Sequence, residues 1–92
     1  MAVVVSINWD GITSEQYDKT MKKMDLEGNP PPGLTLYVAS FDEHGAHITD
    51  VWETAEDFQA FGGSRLAPVL GEVGVTGMPP TVILPAHYVL IP

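Results

Sequence analysis

The alternation of apolar and polar residues along the chain predicts four β-strands. Runs rich in β-branched and aromatic residues, which are typical of strands, occupy residues 2–8, 34–42, 46–53 and 81–91. A turn ending in Gly45 separates the second run from the third, so these two runs are expected to pair as a hairpin. Pro85 lies within the last run and has no backbone N–H to donate, which predicts an edge position or a bulge there.

Two other segments have the residue spacing of helices. Thr13 and Gln16 match a capping box and predict the start of a first helix, which the three prolines at 30–32 end. Thr54 is the expected N-cap of a second helix, and the glycines at 62–63 are expected to break or loosen it before a further helical turn or two. The order βαββαβ predicts a single ferredoxin-like α+β domain with an antiparallel sheet over residues 1–92.

Two helices can cover only one face of such a sheet, which leaves the other face open. Leu34, Leu36 and Val38 form an apolar face of the second strand, and we expect it to pack under the helices. Strict alternation assigns a mixed set of side chains to the open face: Val4, Ser6, Asn8, Thr35, Tyr37, Ala39, Phe41, Ile48, Asp50, Trp52, Thr81, Ile83 and His87. This set is too apolar for water and too polar for a sealed core, so it predicts a homodimer that packs sheet to sheet around a ligand cavity.

The chain carries 12 acidic and 4 basic residues, a formal net charge of −8 at pH 7. Nucleic acid and anionic membranes are therefore poor partners, because both require a contiguous positive surface. The absence of cysteine excludes disulfides and thiolate metal sites, and the three histidines lack the spacing of a metal site. The first residues contain neither a basic leader nor an apolar run of about 20 residues, which predicts a cytoplasmic protein.

Several short motifs together resemble a bacterial family of small dimeric α+β-barrel proteins, part of the superfamily that includes the antibiotic-biosynthesis monooxygenases. The motifs occur in the order EQYD, PPGLTLYVAS, DVWETAEDFQAF, RLAPVL and PAHYVL, and the resemblance covers nearly the whole chain. It implies that two subunits pack sheet to sheet and enclose one pocket each. Superfamily members include cofactor-free oxygenases of phenolic or quinone-like substrates, cyclases and haem-degrading proteins. In this family the position of Tyr37 is often histidine, and the glycines at 62–63 interrupt what is usually helix, which suggests a pocket lid.

Tyr37, Asp50, Trp52 and His87 are the candidate functional group on the predicted cavity face. A carboxylate beside an imidazole raises its basicity, so His87 supported by Asp50 is the predicted general base, and Tyr37 is placed to stabilise the resulting anion. Trp52 offers a flat wall for a ring, and four further residues complete the predicted substrate-binding set: Asn8, Phe41, Ile48 and Thr35. The predicted function is a cofactor-independent monooxygenase or cyclase acting on an aromatic or polyketide-like molecule.

The same residues allow structural interpretations. A buried Asp50 can serve backbone N–H groups, Trp52 can be plain core, and His87 can be a core or interface histidine. The protein would then be a non-catalytic ligand-binding or stress-associated dimer, or a dimer with a closed interface. The haem-degrading members use an asparagine on the first strand, a tryptophan on the third and a histidine on the second helix. Asn8 and Trp52 match the first two, but residues 54–74 contain no histidine.

Overall fold

A computed structural model describes residues 1–74 and 78–92. Its elements follow the predicted order: strand β1 (Val3–Asp10), helix α1 (Ser14–Met24), β2 (Leu34–Phe41), β3 (Gly45–Trp52), α2 (Ala55–Phe61), a π-helical turn (Gly62–Leu66), α3 (Ala67–Glu72) and β4 (Thr81–Pro85). The predicted ferredoxin-like α+β fold is confirmed. None of the helices in these two ranges is long and apolar enough to cross a membrane.

The four strands form one antiparallel sheet in the order β2-β3-β1-β4. The last strand is therefore an edge strand, as the proline at its end requires. It is shorter than the predicted run of 81–91, because its ladder with β1 stops at Pro85. Immediately after it, the N–H of Ala86 donates to the carbonyl of Ala2 at 2.9 Å.

Both predicted helix starts are present. Thr13 Oγ1 accepts from the N–H of Gln16 at 3.1 Å, and Gln16 Oε1 accepts from the N–H of Thr13 at 3.0 Å. Thr54 caps α2 with its side chain. The glycine pair does not end the second helix, since Gly62 keeps helical angles with φ −58° and ψ −44°. The helix loosens there instead into a π-helical turn, in which the N–H of Ala67 donates to the carbonyl of Gly62.

The helices cover the face of the sheet that carries Asp50 and Trp52. Asp50 lies opposite Val5 on β1, and Trp52 lies opposite Val3, so they share a face with the aliphatic side of β1. Asp50 is 1% exposed and Trp52 is 0% exposed, and Phe58 of α2 belongs to the same core as Trp52. The prediction that Asp50 and Trp52 lie on the open face is wrong. Their β1 partners are Val5 and Val3 on the aliphatic face of β1, and not residues of the face that carries Asn8.

A β-bulge at the start of β2 sets the phase of that strand. The register shifts between Leu34 and Leu36, which leaves Thr35 as the extra residue. Leu34 therefore packs against the core, whereas Leu36 and Val38 lie on the other face and are 42% and 49% exposed. The prediction that all three pack under the helices is wrong for Leu36 and Val38. Tyr37 takes the place under the helices instead.

Candidate functional site

A small cavity lies in the core between the sheet and the helices. Its volume is about 20 Å³, which is enough for one water molecule. Three parts of the fold contribute most of the lining side chains: Ile7, Trp9, Tyr37, Ile48 and Asp50 from the sheet, Tyr17, Thr20, Met21 and Met24 from α1, and Phe61, Leu66 and Leu70 from the segment that runs from the end of α2 into α3. Among the described lining residues, Asp50 alone carries a charge.

Asp50 has one carboxylate oxygen paired and one oxygen free. Its Oδ2 accepts from the indole Nε1–H of Trp52 at 3.1 Å. Its Oδ1 is buried and has no hydrogen-bond partner among residues 1–74 and 78–92. Burial raises the pKa of Asp50 to about 6, and the bond from Trp52 opposes this rise. A carboxylate with a pKa near neutrality and one unpaired oxygen, on a side chain that lines a cavity, has the properties of a general base.

Trp52 holds its position through aromatic packing on two sides. Its ring centroid lies 5.7 Å from that of Phe58 and 5.3 Å from that of Phe61. Trp52 is fully buried, and it is not among the described residues that line the cavity. The structure therefore places Trp52 beside the carboxylate of Asp50 and does not give it the predicted position of a cavity wall.

Two tyrosine hydroxyls form a pair at the cavity. The hydroxyl oxygens of Tyr17 and Tyr37 are 2.9 Å apart, and the Tyr37 hydroxyl also lies 3.5 Å from the sulfur of Met21. Burial raises the pKa of Tyr37 far above its ordinary value and raises that of Tyr17 as well. Both side chains are therefore neutral hydroxyl groups at physiological pH. Tyr37 is a predicted site residue and Tyr17 is not. Tyr17 lies four positions before Met21, a helical spacing that indicates core packing and not a functional site.

The remaining predicted site residues lie in different places. Ile48 lines the cavity. Phe41 packs edge-on against Tyr17, with ring centroids 5.5 Å apart, whereas Thr35 is exposed in the bulge. His87 is exposed beyond the end of β4, and it is not one of the described lining residues. Within this chain, the structure thus brings together Tyr37, Ile48 and Asp50, and it does not bring His87 to them.

Asn8 belongs to a separate polar cluster on the open face. Its side-chain oxygen lies 2.9 Å from Nδ1 of His47, whose Nε2 lies 2.5 Å from Oδ2 of Asp42. The bond from His47 is the main cause that lowers the pKa of Asp42 to about 2, followed by the backbone N–H of His44. This cluster ties β1 to the hairpin and lies on the face opposite Asp50. No group of three or more potential metal ligands occurs within the described part of the chain.

The fold of this chain recurs in solved structures, although no protein-family model and no curated protein matches the sequence. SnoaB, a cofactor-independent oxygenase from Streptomyces nogalater, has a TM-score of 0.65 at 11% identity, covering 97% of this chain and 95% of SnoaB. A Caulobacter crescentus protein assigned to the antibiotic biosynthesis monooxygenases has a TM-score of 0.64 at 16% identity, covering 95% of this chain and 89% of its own. The resemblance to that superfamily is confirmed at the level of the fold.

A third similar structure tests the haem interpretation. MhuD from Mycobacterium tuberculosis, described as a heme-degrader with two hemes bound in its active site, has a TM-score of 0.59 at 11% identity, covering 98% of this chain and 99% of MhuD. In the present chain, Asn8 faces away from the cavity, and residues 54–74 offer no histidine. The residues of this site do not fit haem.

Proposed function

We propose that this protein is a cofactor-independent monooxygenase of a small aromatic or polyketide-like molecule, with Asp50 as its general base. The observation that carries the proposal is the free Oδ1 of Asp50, buried at a cavity that contains no other charged side chain among its described lining residues. The fold shared with SnoaB, a cofactor-independent oxygenase, supports it. Asp50 acts here without His87, because His87 is exposed and lies apart from the cavity in this chain.

The chemistry requires a substrate that can itself reduce oxygen. A ring CH₂ that is conjugated with a ketone through an aromatic ring is acidic, and Asp50 Oδ1 accepts one of its protons to leave an enolate. The enolate gives electrons to O₂, one oxygen atom is retained as a new carbonyl, and the other leaves as water. The overall change is CH₂ + O₂ → C=O + H₂O, which balances without a cofactor. One positioned base contributes roughly 10²–10⁴-fold to the rate, so the substrate must already be activated.

The tyrosine pair is suited to stabilise the enolate oxygen. In a pair of hydroxyls, one proton is used within the pair and the other remains available. The neighbour of Tyr37 besides Tyr17 is the sulfur of Met21 at 3.5 Å, a weak acceptor. An enolate oxygen is a stronger acceptor and would redirect that proton. Because both hydroxyls stay neutral at physiological pH, they can donate over the whole range in which Asp50 is ionised.

A ring-shaped substrate needs more space than the closed cavity provides. The wall formed by Phe61, Leu66 and Leu70 comes from the segment that contains the π-helical turn. Arg65 in this turn fastens the segment to the end of α1 by donating to the carbonyls of Met24 and Asn29, the latter at 2.7 Å. We infer that this segment acts as the predicted lid and opens by releasing the bonds of Arg65.

We also propose that the protein is a homodimer formed through the open sheet face. Four apolar side chains on the two edge strands are exposed on that face: Leu36 and Val38 at 42% and 49%, and Val82 and Leu84 at 54% and 60%. A domain of 92 residues buries only about 60–65% of its unfolded surface, so a second copy would cover apolar surface that the chain cannot bury by itself. This proposal keeps the predicted use of the face but changes its residues.

The test uses an anthrone, a tricyclic ketone with an acidic ring CH₂, as the substrate. Oxygen uptake and quinone formation are followed for the wild type, for Asp50→Asn and for the matched control Asp10→Asn, which alters an exposed carboxylate at the end of β1. We expect turnover that Asp50→Asn reduces at least a hundredfold and Asp10→Asn leaves unchanged. Binding without oxygen uptake would support the ligand-binding alternative, and a rearranged product without oxygen uptake would support a cyclase.

A further inference from the structure

We propose that Trp52 is the positioning residue for Asp50: its indole N–H holds Oδ2 and thereby keeps Oδ1 as the proton acceptor in the cavity. This inference rests on the proposed function, because it assigns how the base of that reaction is held. It replaces the predicted role of Trp52 as a flat wall for the substrate. Trp52 would act through Asp50 and would not contact the substrate.

The strand geometry places the donor and the acceptor together. Residues 50 and 52 are two positions apart on β3, so their side chains emerge on the same face. The indole Nε1 lies 3.1 Å from Oδ2. The β1 partners of these two residues in the ladder are Val5 and Val3, whose side chains cannot accept a hydrogen bond. An indole N–H that is fully buried needs an acceptor, and Asp50 supplies it.

The indole is itself fixed by the second helix. Phe58 and Phe61 pack on it with centroid distances of 5.7 and 5.3 Å. Phe61 also lines the cavity, so the same ring that contacts Trp52 forms part of the substrate wall. The orientation of the Asp50 carboxylate is thus held indirectly: Phe61 of the cavity wall packs on Trp52, and Trp52 donates the hydrogen bond to Asp50.

The hydrogen bond from Trp52 to Asp50 has two chemical consequences. It stabilises the ionised form of a carboxylate that burial would otherwise protonate, as the opposing effects on the pKa of Asp50 indicate. It also occupies one of the two oxygens, so a substrate proton is directed to the other. A tryptophan that merely filled the core would have neither consequence, which makes titration of Asp50 the discriminating measurement.

The experiment compares Trp52→Phe with the control Val3→Ala. Trp52→Phe keeps an aromatic ring and removes the donor, whereas Val3→Ala removes buried packing at the β1 partner of Trp52 and keeps both the donor and the rings that hold it. The carboxyl ¹³C signal of Asp50 is followed with pH in each protein. Since a hydrogen bond to a charged group is lost, we expect the Asp50 midpoint to rise by about one to two pH units in Trp52→Phe and to stay unchanged in Val3→Ala.

The expected kinetic result follows from the same shift. With a wild-type midpoint of about 6, turnover of Trp52→Phe should fall at least two- to tenfold at pH 7, where the ionised fraction is smaller, and should recover only in part near pH 9, because the ionised carboxylate is no longer held by the indole N–H. An unshifted Asp50 midpoint in Trp52→Phe, or an equal shift in Val3→Ala, would overturn the inference. A shifted midpoint in a protein without turnover would instead leave the positioning intact and reject the proposed function.

A measurement on the wild type covers the case in which Trp52→Phe does not fold. The ¹H–¹⁵N signal of the Trp52 indole should move downfield as Asp50 ionises, with the midpoint of the Asp50 carboxyl. An indole signal of Trp52 that stays constant through the titration of Asp50 would refute the hydrogen bond and the inference with it.

Discussion

Replacing Asp50 by Asn is expected to stabilise the protein at neutral pH while it removes the proposed base. Burial raises the pKa of Asp50 from its ordinary 3.8 to about 6. The folded state therefore holds this proton more tightly than the unfolded state does. The stabilisation that the protonated Asp50 provides is fully present below its pKa in the unfolded state. It is lost as the pH rises to the pKa of Asp50 in the folded state and beyond. At neutral pH the ionised carboxylate opposes folding, and an uncharged Asn does not.

The size of the effect follows from the two pKa values. A difference of about two pH units corresponds to ~3 kcal/mol in the free energy of unfolding, fully developed above about pH 7. Asn keeps an oxygen for the indole N–H of Trp52, but its amide NH₂ adds an unsatisfied buried donor that costs about 1–3 kcal/mol. That cost does not change with pH. The quantity to measure is therefore the difference in the free energy of unfolding between Asp50→Asn and the wild type. We expect this difference to change by about 1.4 kcal/mol between pH 5 and pH 8.

Urea unfolding at pH 5, 6, 7 and 8 measures this difference for the wild type and Asp50→Asn. Protein concentration is held constant, because association makes apparent stability depend on it. The control Asp10→Asn makes the same substitution at an exposed carboxylate, so a pH-dependent difference specific to Asp50→Asn is assigned to the buried site. We expect Asp50→Asn to gain stability relative to the wild type at each step towards pH 8. A difference that stays flat over this range would refute the raised pKa of Asp50.

Three further predictions test the lid, the predicted histidine and the open face. Gly62→Ala should raise the free energy of unfolding by about 0.5–1 kcal/mol, because Gly62 has helical angles and open space around an added Cβ. Gly11→Ala has equal space but a φ of +84°, so it should lower the free energy of unfolding. Urea unfolding of both variants checks the two signs. His87→Ala should leave turnover within about twofold of the wild type, since one positioned base group is worth at least 10²; a hundredfold loss in the anthrone assay would restore His87 as a catalytic residue. Val38→Glu, on the open face, should shift the protein from dimer to monomer in sedimentation velocity, whereas a dimer that persists would place the interface elsewhere.

The local features of this fold can be read directly from the sequence. The capping box of Thr13 and Gln16, the cap at Thr54 and the hairpin turn at Gly45 each depend on residues within three or four positions of one another. They fix where the helices and strands start and in which order they follow one another, and the order of the elements determines the fold. The loosening at Gly62 was predictable for the same reason, although the π-helical form of the turn was not.

The faces of the sheet could not be assigned in this way. Alternation divides each strand into two sides, but which side of one strand meets which side of the next depends on register, and register is set by contacts distant in sequence. The bulge at Thr35 exchanges the two faces of β2 beyond that residue, and no residue type at this position indicates a bulge. Asp50 added to the error, because a charged residue in an apolar strand is normally a sign of the exposed face.

The position of Asp50 under the helices strengthens the case for chemistry. If its function were only to satisfy the indole N–H of Trp52, the neutral amide of Asn would accept the same bond at a cost of about 1–3 kcal/mol for its unsatisfied NH₂, no more than the pH-dependent cost of ~3 kcal/mol that the carboxylate carries. A domain of 92 residues has a total stability of only about 5–15 kcal/mol, so this cost is a large fraction. What the carboxylate provides and the amide does not is a proton acceptor with a pKa of about 6 and one oxygen free at the cavity. A general base requires both properties, and core packing requires neither.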